Sequence, residues 1–134
     1  MVAAAVAAVA GILAFFAITP DTLGEMAGVD GKEITRISVV GEDGQEVIYE
    51  TEDAEKIKEF LAYMEDIAVD LSGFSEPDDK DGDGRPQYTV RFHDGLMTVS
   101  YFIFSDSERV FYGGRVYQAE EGSFEAMKVL AAGW

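Results

Sequence analysis

Hydrophobic and polar positions change rhythm several times along this chain, and each rhythm predicts an element. Val2 to Ile18 carries no charge and no polar alternation. As a helix that run would span about 25 Å, the lower limit for crossing a hydrocarbon core. Thr19-Pro20-Asp21 closes it with a helix breaker and the first charge. Residues 20–32, with one Pro and three Gly, predict a linker. Ile34 to Val40 is rich in β-branched residues and predicts a strand. Asp43-Gly44 predicts a turn, and Glu46 to Glu50 a returning strand.

The period then lengthens. Ala54, Ile57, Leu61, Met64 and Ala68 recur at helical spacing, and Phe60 and Ile67 widen the stripe. Thr51 is the expected N-cap of a helix over about 52–68, with acids in the first turn where the dipole favours them. Residues 74–87 predict a loop. Alternation resumes at Tyr88, Val90 and Phe92. An Asp94-Gly95 turn would set Phe92 opposite Met97, Val90 opposite Val99 and Tyr88 opposite Tyr101. That strand runs on to Phe104. Gly113-Gly114 predicts a second hairpin between Val110–Tyr112 and Arg115–Tyr117. Gly122-Ser123 opens a last helix with Phe124, Met127, Leu130 and Ala131 on its apolar stripe.

The order β-β-α-β-β-β-β-α predicts an α+β fold. Its mostly antiparallel sheet of about six strands would carry two helices packed on one face, behind an N-terminal apolar helix. The expected organisation is a signal-anchor or signal peptide over 1–19, a linker over 20–32 and one domain over 33–134.

Charge adds a location. The chain has 26 acidic and 10 basic residues, a net charge of −16, and no charge precedes Asp21. This abrupt boundary favours a membrane anchor at residues 2–18 and an extracytoplasmic domain, with secretion after cleavage as the alternative. No positive n-region precedes the apolar run. So acidic a surface repels phosphate backbones, and no nucleic-acid partner is expected. The chain has no Cys, which excludes disulfides, thiolate metal sites and cysteine nucleophiles.

Candidate chemistry is sparse. Asp79-Lys80-Asp81-Gly82-Asp83-Gly84 matches the opening of an EF-hand calcium loop. Asp79, Asp81 and Asp83 are candidate side-chain ligands for Ca2+, and Arg85 a candidate backbone ligand. Val90 occupies the position where that pattern needs a bidentate acid. Calcium is the only cofactor the sequence suggests. His93, the single histidine, falls on the polar face of its strand and reads as a surface residue. No G-x-S-x-G elbow or phosphate-binding glycine loop occurs, so no catalytic residues are assigned and no enzyme is expected. Phe102, Phe104, Tyr112 and Tyr117 are the candidate interaction surface if their face stays open.

An apolar leader, a hairpin, a helix, a β-meander and a closing helix after Tyr117 and Phe124 together resemble the small extracytoplasmic domains of unknown function of Gram-positive bacteria. The resemblance is one of layout over residues 33–132 and implies no catalytic residues. The expected role is therefore non-catalytic binding of a protein or cell-wall partner at the cell surface. The alternatives are a calcium-dependent structural or sensing module and a small inhibitor of an extracellular enzyme.

Overall fold

The computed structural model describes residues 19–42, 44–74 and 87–134. The apolar run 2–18 and the acidic segment 75–86 lie outside them. Among the described residues the chain forms a seven-stranded, wholly antiparallel sheet and three helices, an α+β fold. The elements run α1 (Leu23–Ala27), β1 (Arg36–Val40), β2 (Val47–Thr51), α2 (Ala54–Asp66), β3 (Val69–Phe74), β4 (Gln87–Asp94), β5 (Met97–Ser105), β6 (Arg109–Tyr112), β7 (Arg115–Ala119) and α3 (Ser123–Ala132). Strand order is β2-β1-β4-β5-β6-β7-β3. No described helix is long and apolar enough to cross a membrane.

Residues 20–32 are not the linker their composition suggests. Thr22 caps α1 by accepting from Glu25 N–H, and Gly28 ends the helix in the left-handed region (φ 67°). Leu23, Met26, Ala27 and Val29 are buried in the main core. Asp21–Leu23 is stitched to the start of β3: Leu23 N–H donates to Ile67 O and Val69 N–H to Asp21 O, both at 3.0 Å. The helix α2 begins later than its pattern suggests. Asp53, not Thr51, is the N-cap, accepting from Glu55 and Lys56 N–H at 2.9 and 3.2 Å. Thr51 ends β2 instead, and its hydroxyl accepts from Asp53 N–H. Ile57, Phe60 and Met64 are the buried stripe. Ile67 is already extended, so the chain leaves the helix directly into β3. The sequence pattern does not predict β3.

The β4–β5 hairpin also differs. Its turn is Gly95-Leu96, closed by the pair Asp94–Met97, and the register then shifts by an extra residue around Val99. Phe92 therefore faces Ser100, Val90 faces Phe102 and Tyr88 faces Phe104. The bulge exchanges the two faces of β5 beyond it. Phe102 and Phe104 turn toward the helices and are fully buried.

Phe60, Phe92, Phe102, Phe104 and Phe124 form a chain of ring contacts with centroid spacings of 5.4–6.2 Å. This chain joins α2, the sheet centre and α3. On the opposite face, Val40, Thr89, Ile103, Phe111 and Val116 follow one another across β1, β4, β5, β6 and β7. Val40, Phe111 and Val116 are buried there, outside the helix-side core.

Candidate functional site

The strand β5 has a long partner on one side and a short one on the other. Pairing with β4 runs its whole length, from Met97 to Ser105. On the far side β6 pairs only with Ile103 and Phe104. It goes no further because Gly113 and Gly114 both take positive φ (58° and 77°) and fold the chain into β7. Two successive left-handed residues are what a tight two-residue hairpin needs, and glycine meets that need without steric cost. The mismatch in length opens a cleft in the middle of the sheet. It has a volume of ≈ 420 Å³ and is lined by Thr98, Val99, Ser100, Tyr101, Tyr112 and Gly113.

Backbone direction along this edge follows from the ladder. The carbonyl of His93 accepts from Thr35 N–H on the β1 side at 2.8 Å. Alternate residues of a strand address opposite neighbours. Phe92 and Val90 therefore address β5, their partners Ser100 and Phe102 address β4, and Tyr101 presents its N–H and C=O to the cleft. The Tyr101 ring stands on the face away from the helices and is 57% exposed. Met97, the first residue of β5 and next to the lining residue Thr98, is 69% exposed. On the helix side the cleft is closed by the end of α1, where Ser100 Oγ donates to Ala27 O at 2.6 Å.

The second concentration of polar groups surrounds His93. It is buried, contrary to its expected surface role. Ser38 Oγ lies 2.8 Å from its Nε2 and Thr98 Oγ1 3.3 Å from its Nδ1. In the neutral ring one nitrogen donates and the other accepts, and a hydroxyl can answer either. Burial holds the imidazole below its ordinary pKa, Arg36 and Arg91 add to the effect, and Glu50 opposes it. Ser38 is itself only 3% exposed, so this pair has no room for a substrate beside the hydroxyl.

A third network orders α3. Gly122 at its N-cap has no side chain to cap with. Glu108, from the β5–β6 turn, reaches across instead. Its carboxylate accepts from Gly122 N–H at 3.2 Å and Phe124 N–H at 2.9 Å, and Ser123 Oγ lies 2.7 Å away. That hydroxyl also lies 2.6 Å from Glu120 O, so its single proton serves one acceptor at a time. Tyr63 OH donates to Ser123 O at 2.6 Å, and burial first, then the Glu108 charge, raises its pKa.

Of the sequence-derived candidates, Asp79, Asp81, Asp83 and Arg85 lie outside the described residues. Among those described, no three His, Asp or Glu side chains are grouped to hold a metal. Phe102, Phe104 and Tyr117 are core residues, at most 2% exposed, and form no interaction surface. Tyr112, half-buried, alone of the four reaches a surface feature, as part of the cleft lining. The residues sequence reasoning missed are Tyr101 and Met97. The signal was present in Gly113-Gly114, which stops β6 four residues after Arg109 while β5 continues for nine. Comparison with known protein families, characterised proteins and solved structures finds no match.

Proposed function

We propose that this chain is a non-catalytic, acidic binding domain, held outside the cytoplasm by Val2–Ile18, that takes a polypeptide partner in the cleft beside β5. The observation that carries this reading is the cleft itself. Among the described residues no strand pairs with β5 at Tyr101, whose side chain is exposed there, and Met97 is exposed at the start of the same strand. Aromatic side chains with a polar tip are favoured in contact surfaces, and methionine adapts to irregular ones. A protein partner suits a strand edge better than a polysaccharide does, because only a peptide returns a matching N–H and C=O at strand spacing. The charge boundary at Asp21 supports the location.

Photocrosslinking in cells tests the proposal. A benzophenone amino acid placed at position 101 is expected to yield a discrete crosslinked partner. The same probe at Lys58, exposed on α2, is expected to yield none. Equal labelling from both positions, or none from position 101, would refute the cleft as the binding site.

A further inference from the structure

We infer that the partner enters the cleft as an added strand, antiparallel to β5, with its basic residues at the C-terminal end of the inserted segment. This inference rests on the cleft being the binding site. The strand β6 already occupies the same edge of β5 in antiparallel sense, and an added strand collinear with it would continue that ladder. Antiparallel pairing is also the more stable of the two senses. Among the described residues nothing lies within 4 Å of a Cβ built on Gly113 or Gly114, so the described residues leave room beside the end of β6.

The bulge at Val99 makes the site narrow. Exposed edges are often protected by such bulges. Here the regular acceptor stretch is Ser100–Phe102, which offers one complete pair of backbone hydrogen bonds, both at Tyr101. Side chains must supply the rest of the recognition. The Tyr101 ring stands on one face of the added strand and offers it an apolar contact.

Charge sets the polarity. Arg91 is the cross-strand neighbour of Tyr101, and Arg115 follows the Gly113-Gly114 turn, so the inner part of the cleft is flanked by cations. The mouth differs. Asp94 is exposed in the closing pair of the hairpin, opposite Met97. An antiparallel segment runs outward from Gly113 toward Met97, so its C-terminal end approaches this acid. The net charge of −16 further favours a basic segment during encounter.

Three short extended peptides of otherwise identical Thr/Val composition test this, with two Lys at the C-terminal end, two Lys at the N-terminal end, or two Glu at the C-terminal end. The readout is backbone amide exchange of the full-length protein by NMR. The first peptide is expected to slow exchange at Tyr101 by about tenfold, with an effect that weakens as salt is raised. Equal protection by the second overturns the polarity, and equal protection by the third overturns the charge preference. Protection at the β2 edge, or nowhere, overturns strand addition at β5. The crosslink from position 101 can survive any of these results, so the two readings fail separately. Tyr101→Pro removes the N–H that would pair with the peptide and is expected to abolish peptide-induced shifts at Ser100 and Phe102, whereas Tyr101→Ala keeps that N–H and is expected to weaken the shifts without abolishing them. If Tyr101→Pro does not fold, the wild-type exchange pattern still decides.

Discussion

Glu108 is the residue whose removal separates local geometry from long-range capping. It sits in the left-handed region (φ 65°), the only non-glycine there among the described residues. That conformation costs an L-residue about 1–2 kcal/mol. Against this stands its carboxylate at the start of α3, where it accepts from two orphan amides and lies within reach of one hydroxyl. A lost N-cap costs about 0.5–2 kcal/mol, and an acid at a helix N-terminus adds a few tenths to about 1 kcal/mol. Glu108→Ala keeps the strained φ and loses the cap, for a cost of about 2 kcal/mol. In a domain of this size that lowers Tm by about 10 °C. Glu108→Gly loses the same cap but relieves the strain, so it is expected to recover about 1 kcal/mol of the loss. Thermal unfolding of wild type, Ala and Gly variants by circular dichroism measures all three. A Gly variant no more stable than the Ala variant would refute the strain term. An Ala variant melting within about 1 °C of wild type would refute the cap.

Two further expectations follow from buried groups. Phe104→Ala deletes a ring that is fully buried between Phe102 and Phe124, and urea unfolding is expected to show a loss of about 3–5 kcal/mol; a loss under about 1 kcal/mol would mean the ring is on the surface after all. His93 has a folded pKa below its unfolded value near 6.5, so the unfolded chain binds the extra proton first. Its contribution to stability is therefore complete above about pH 6.5 and declines as pH falls from there through the lower folded value. His93→Gln should flatten that part of the stability profile, and an unchanged slope between about pH 6.5 and 5 would exclude the histidine as its cause.

The sequence made the helix faces legible because their stripes are unambiguous. Ile57, Phe60 and Met64 have no competing period, and the same is true of Phe124 and Met127. Strand β5 was not legible in the same way. Met97, Val99, Tyr101 and Ile103 alternate with Thr98, Ser100, Phe102 and Phe104, so both phases carry large apolar groups. The bulge at Val99 decides between them, and the alternation itself does not mark it. α1 was hidden because five residues give too little periodicity, and its Leu23 and Met26 matter only through the core they enter. The cleft was half legible. Gly113-Gly114 gave the turn, but that β6 lies beside β5 and stops short of it is a tertiary fact. Glu108 had no local signature, since its cap acts 14 to 16 residues downstream.

The stitch between Asp21–Leu23 and Ile67–Val69 has a mechanical consequence. Any pull applied at Thr19 enters the domain through two antiparallel backbone hydrogen bonds at the start of β3, itself an outermost strand of the sheet. The sheet centre, with β5 and its cleft, lies three strands inward from that point of load. Tension would first peel α1 away from Ile67 and Val69, unloading Leu23 and Met26 from the core before the central ladder is strained. Because Ser100 Oγ is bonded to the last carbonyl of α1, that first yield also loosens one wall of the cleft. The proposed point of attachment and the proposed binding cleft thus share a single five-residue helix as their mechanical link.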